Sequence, residues 1–219
     1  MTVPVRARWM LAASAILLGL ALFFPLWRVS LIAPQYPEGL GMHIWAHTVA
    51  GVNPTDLPNI NGLNHYIGMK TIEPDSIPEL KIMPPGILAM CILGLLVAWR
   101  GNRMLMRAWV VALLIAGLAG MVDFYLWEYD YGHNLDLENA PIQVPGMTYQ
   151  PPLLGTKQLL NFTATSWPAS GGIMAIVAVI LGVSSATIGM KDTKEQKDKP
   201  EPQSGSVEHK NIRAREATA

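Results

Sequence analysis

The sequence predicts an all-α membrane protein: four transmembrane helices, with two long extracytoplasmic loops forming a small, irregular, β-containing cap. Three observations carry this reading: four apolar stretches of bilayer length, 15% charged against 51% apolar residues, and Lys and Arg gathered on one side of the spans. A soluble domain of this size carries about 25% charge. The 16 basic residues cancel 16 acidic ones, so no net positive charge points to nucleic acid. Cys91 is the only cysteine, which excludes an internal disulfide framework, a Cys-X-X-Cys redox pair, a multi-thiolate iron–sulfur cluster and a four-Cys zinc site.

A bilayer core about 30 Å thick takes roughly 20 helical residues. The spans fall at 9–27, 82–99, 108–126 and 168–190. Trp9, Trp27, Trp99, Trp109, Trp127 and Trp167 lie near their ends, as an interfacial aromatic belt predicts. Pro84 and Pro85 are expected to open the second span and Pro168 the fourth, where a missing N–H is tolerated. The first span reads as an uncleaved anchor. Its apolar run exceeds the roughly 7–15 residues of a signal peptide, and Phe23-Phe24-Pro25-Leu26-Trp27 offers no small-residue cleavage site.

Orientation follows from the basic residues, which short cytoplasmic segments retain. Arg6 and Arg8 precede the first span, Arg100, Arg103 and Arg107 crowd the 100–107 connection, and Lys191, Lys194, Lys197 and Lys199 follow the fourth. Segments 1–8, 100–107 and 191–219 are therefore expected to be cytoplasmic, leaving only Arg28, Lys70, Lys81 and Lys157 outside. The tail 191–219 is polar, without apolar periodicity, and reads as disordered. Loops 28–81 and 127–167, rich in Pro, Gly and Asn, argue for short strands rather than extended helices. Trp27 to Ile32 alternates as an edge strand does, and Pro141 to Tyr149 reads as a second extended piece.

The outer loops hold His43, His47, His65 and His133, and no histidine lies within a span, so a b-type intramembrane haem has no evident axial ligands. His43 and His47 stand four apart, able to chelate on a helix but not on a strand. His65 and Met69 are also four apart, and a thioether with an imidazole favours Cu(I) over Mg²⁺ or Ca²⁺. Met42 and His133 are further soft donors expected on the same side. A packed core Met and a hydrogen-bonded His is the plainer alternative. Asp123, one turn below the outer interface, together with Glu128 and Asp130, marks a possible ion or partner site; the alternative is a capped carboxylate among acidic tips of the aromatic belt. Without a Ser-His-Asp order, a Gly-rich phosphate loop or His-Glu-X-X-His, no enzyme is expected.

Four peptides carry a resemblance. They are Ala33-Pro34-Gln35-Tyr36-Pro37-Glu38-Gly39-Leu40-Gly41-Met42, Leu63-Asn64-His65-Tyr66-Ile67-Gly68-Met69, the run from Asp123 through Trp127 and Tyr131 to Asn134, and Tyr149-Gln150-Pro151-Pro152-Leu153. Across roughly residues 9–190 the chain resembles a family of multispan inner-membrane proteins encoded in nitrous oxide reductase gene clusters of the Sec-exported type, beside copper-delivery lipoproteins and an ABC-type maturation system. The resemblance implies a bacterial inner-membrane protein that supports maturation of a periplasmic nitrous oxide reductase or supplies its copper. Implied partners are the reductase, copper chaperones or the ABC-type complex; no ligand residue is implied. A scaffold that docks periplasmic or membrane partners without metal is the alternative, with Gly117, Gly120, Gly171 and Gly172 permitting close helix contact. A transporter has little support, because no charge sits at a span's midplane.

Overall fold

The computed structural model describes residues 3–144 and 146–197. Its elements, in order, are α1 (Val5–Leu20), a 3₁₀ turn (Ala21–Phe23), β1 (Trp27–Ala33), β2 (Tyr36–Ile44), β3 (Val49–Gly51), α2 (Asp56–Tyr66), a 3₁₀ turn (Pro74–Ser76), α3 (Glu79–Arg100), α4 (Arg103–His133), β4 (Gly155–Leu159), β5 (Phe162–Pro168) and α5 (Ser170–Lys197). Four helices are long and apolar enough to cross a membrane: Val5–Phe23, Glu79–Arg100, Arg103–His133 and Ser170–Gly189. The strands form one antiparallel sheet in the order β3-β2-β1-β5-β4, which fits a cap. The expected tail lies outside the described residues from 198 onward, whereas residues 191–197 continue α5.

Helix α1 is the hub of the bundle, packed on both α5 and α3. Two hydroxyls fix its antiparallel register with α5: Ser14 Oγ donates to Ala178 O at 2.6 Å, and Ser185 Oγ donates to Ala7 O at 2.7 Å. Both serines are fully buried, where an unpaired hydroxyl would be costly. α4 wedges its Trp109 ring into the space left by Gly94 of α3 and Gly182 of α5, and the indole N–H donates to Met90 O at 2.9 Å. Trp109, 4% exposed, is thus a core residue rather than part of a belt.

Pro25 disfavours helical backbone at Phe24, which is extended (φ −133°, ψ 151°), so the first helix stops before the expected Trp27. Trp27 opens β1. That strand is central, not an edge as its alternation suggested: β2 pairs with one side of it and β5 with the other. The α1/α5 helix pair thus continues directly as the β1/β5 ladder. Segment 141–149, read as extended, forms no strand among its described residues. Loop 28–81 instead contains the 11-residue helix α2. Pro84 and Pro85 lie in the second turn of α3, which already begins at Glu79, and they remove the bonds to the Leu80 and Lys81 carbonyls.

The 31-residue α4 starts where the Asn102 side chain accepts from the Met104 and Leu105 amides, and runs two turns beyond the expected Leu126. At about 1.5 Å per residue it is roughly 46 Å long, well beyond a bilayer core. Its end buries Tyr131 in a second core, made with Val29, Leu40, Met42, Val49, Ile60, Ile72 and Leu80.

Candidate functional site

A pocket of about 430 Å³ opens where the end of α2 meets the end of α4, lined by His65, Met69, Lys70, Asn134, Asp136 and Asn139 among others. Its first wall comes from the last turn of α2 and the turn after it. The Met69 amide donates to Asn64 O at 2.9 Å and closes the helix. Gly68 turns the chain with φ +76°. Its carbonyl accepts from the Asp136 amide at 2.8 Å, and Tyr66 O accepts from the Ile142 amide at 2.9 Å, so the 66–68 turn is stitched to the segment that follows α4.

Beyond the turn, the Asn61 side chain brackets Ile72 from both sides, donating to its carbonyl at 3.1 Å and accepting from its amide at 2.8 Å. Tyr131 Oη donates to Thr71 O at 3.0 Å. Lys70 Nζ meets Asp130 Oδ2 at 2.6 Å, with both side chains about half-exposed. The strip carrying Met69 is therefore clamped between α2 and α4.

Asp136 supplies the charge of the second wall. Hydrogen bonds from the Asn139 side chain, then from its amide, hold Asp136 below the ordinary carboxylate range despite slight desolvation, and the Glu138 amide and nearby His65 act in the same direction. The pocket thus sets an ionised carboxylate near an exposed imidazole and a half-buried thioether.

The residues singled out from sequence divide clearly. His65 and Met69 share this pocket. His133 adjoins its Asn134 wall, but its ring stacks on Tyr129 at 3.9 Å and its Nδ1 lies 3.0 Å from Tyr129 O. Met42 does not join them; it is 6% exposed in the cap core, paired across the ladder with Val29. Asp123 is exposed on α4, within electrostatic reach of Glu79. Asp130 holds Lys70 at the pocket's edge. Glu128 is 1% exposed and neither of its oxygens has a hydrogen-bond partner among the described residues, one turn before Gly132, where the Gln150 backbone presses on the helix.

The His43/His47 pair is not helical. His43 lies on β2 opposite Arg28 of β1, and His47 in the 45–48 turn closed by the Trp45 amide donating to Thr48 O at 2.8 Å. Burial, then the Arg28 guanidinium, lowers the proton affinity of His43, and the same positive charge opposes a metal cation. Among the described residues, no three His, Cys, Asp or Glu side chains converge as a metal-holding group.

Sequence reasoning missed Asp136 and Asn139. The available signal was Asp136-Leu137-Glu138-Asn139, an acid followed three residues later by an amide able to cap it. No protein-family model matches the chain, and no curated protein matches it.

Proposed function

We propose that the protein is a multi-pass bacterial inner-membrane accessory factor, with both termini cytoplasmic and the cap in the periplasm. In this reading the cap holds Cu(I) transiently for maturation of a periplasmic nitrous oxide reductase and catalyses no reaction. The observation that supports it is the shared pocket of His65 and Met69, a soft donor pair beside the Asp136 carboxylate. Two protein donors leave Cu(I) coordinatively open, which suits hand-over better than the closed four-ligand shell of a structural metal. The polar remainder of the pocket, Asn134, Asn139 and Thr71, gives hydrogen-bonding edges to a docking copper protein.

The membrane part of the proposal is supported by the four long apolar helices and by the segregation of basic residues. Deletion of the gene in a nitrous-oxide-respiring host tests the function. The expected result is a reductase exported in normal amount but with lowered copper content, restored by the wild-type chain and not by His65→Ala. A fully copper-loaded reductase in the deletion strain contradicts the proposal.

A further inference from the structure

The strip from Tyr149 to Leu153 is fastened at both ends beside one face of α4. At its start the Tyr149 amide donates to Gly132 O at 2.9 Å, and the Gln150 backbone leaves no room for a Cβ on Gly132. At its end Leu153 O accepts from Ser166 Oγ at 3.2 Å. The same hydroxyl accepts the Trp27 indole N–H at 2.6 Å, and the Trp27 ring meets Phe124 of α4 edge-to-face at 5.5 Å. Phe124, Glu128 and Gly132 follow one another at steps of four and so share a face of the helix. From Phe124 to Gly132 the helix rises about 12 Å, and the strip, kept extended by Pro151 and Pro152, covers about 12 Å from Tyr149 to Leu153. Glu128 stands halfway along this seam.

The seam buries two polar groups and satisfies neither. Glu128 is 1% exposed and Tyr149 2%, and among the described residues neither carboxylate oxygen of Glu128 nor Tyr149 Oη has a hydrogen-bond partner. The strip is poor in donors: the Tyr149 amide is already bonded to Gly132 O, and Pro151 and Pro152 have no N–H. No Lys or Arg among the described residues pairs with Glu128; Lys70 is held by Asp130, and Lys157 donates to Gln150 O at 3.1 Å. An ionised carboxylate so enclosed is strongly disfavoured without a counter-charge.

A buried seam with acceptors and without donors selects a cation. One carboxylate balances one positive charge, and among the described residues no three His, Cys, Asp or Glu side chains converge as divalent and transition-metal sites commonly need. We propose that the seam between α4 and the 149–153 strip binds one dehydrated alkali-metal cation, held by the Glu128 carboxylate and Tyr149 Oη, with backbone oxygens of the strip or water completing the shell. Glu128 thus acts with Tyr149 and not with Asp123 or Asp130, both of which are exposed. The ion would pin the strip to α4. The inference is independent of copper and of which side of the membrane the cap occupies.

The test follows thermal unfolding of the full chain in detergent at constant ionic strength, with choline chloride replaced stepwise by NaCl or KCl. The wild-type midpoint is expected to rise saturably with at least one of the two salts, by about 2–4 °C at roughly ten times the dissociation constant. Glu128→Gln keeps the shape and removes the charge, so it should abolish the response and leave the midpoint in choline no lower than that of the wild type. Tyr149→Phe removes only an unpartnered hydroxyl; it should weaken the cation about tenfold and decides the matter if Glu128→Gln does not fold. A wild-type midpoint indifferent to both cations, a response kept in Glu128→Gln, or an affinity unchanged in Tyr149→Phe overturns the proposal. So does stabilisation by acid alone, which would make Glu128 a buried neutral acid, or by Ca²⁺ in preference to Na⁺ and K⁺.

Discussion

Gly68 and Asp136 hold each other through their backbones: the Asp136 amide donates to Gly68 O at 2.8 Å, while Asp136 O lies 2.7 Å from where a Cβ on Gly68 would stand. The contact joins the α2 wall of the pocket to the wall that follows α4, two segments nearly seventy residues apart.

Gly68→Ala is expected to damage both stability and the pocket. An L-residue at φ +76° costs about 1–2 kcal/mol, and the added methyl group must also displace a backbone carbonyl. The thermal midpoint should fall by several degrees, and Cu(I) uptake should fall with it. A variant as stable as the wild type would show that the two walls are not coupled as described.

Asp56 ties β2 to α2, and its stabilising effect should depend on pH. It is 4% exposed and accepts from the Gly41 and Asn53 amides, both at 3.1 Å, and from the Asn53 side chain. Burial pushes its pKa up, but these hydrogen bonds outweigh burial and leave it below the ordinary value. A lowered folded-state pKa gives stabilisation that is full above the unfolded value, about 3.9, and lost as the pH falls through the folded value. Asp56→Asn should cost about 1–3 kcal/mol at pH 7 and flatten the acid limb of the stability curve. Equal losses for wild type and variant between pH 5 and pH 2 would contradict this.

The Lys70–Asp130 pair is half-exposed, so its direct contribution to stability is at most about 1 kcal/mol. Its importance lies in position, since it draws an ammonium away from a pocket proposed to take a cation. Asp130→Asn should leave the melting temperature within a degree or two and weaken Cu(I) binding about fivefold, with Lys70→Ala in the same background restoring it. Loss of binding in Lys70→Ala alone would mean that the ammonium itself serves the ligand.

Reporter fusions test the orientation. Fusions after Arg103 and Lys199 should report as cytoplasmic, and fusions near Asn59 and Gln143 as exported, because twelve basic residues stand on one side of the predicted spans and four on the other. An exported signal after Lys199 would invert the bundle and place the pocket on the wrong side for a periplasmic partner.

The four apolar helices were legible because hydropathy over about twenty residues is a local property. Their ends were less so. Pro25 cut the first helix short of Trp27, while aromatic packing carried α4 past Leu126 into the cap, and neither outcome is set by composition. β1 read as an edge strand because its alternation is loose; its central place depends on Phe162–Pro168, more than 130 residues away. In the candidate site, His65 and Met69 could be paired by their spacing within one segment. Asp136 and Asn139 could not, since the Gly68–Asp136 contact that brings them into the pocket is long-range. Met42 and Trp109 looked like a donor and a belt residue because burial against distant strands or helices leaves no trace in their neighbours.

The most direct test of the central claim is X-ray absorption at the copper K-edge on purified protein loaded with one equivalent of Cu(I). The wild type should show a low-coordinate Cu(I) with both nitrogen and sulfur scatterers, the sulfur lost in Met69→Leu and the imidazole signature lost in His65→Ala, while Met42→Leu leaves the spectrum unchanged. A spectrum unaltered by Met69→Leu and His65→Ala, or a wild type that retains no copper against a micromolar-affinity chelator, would contradict it.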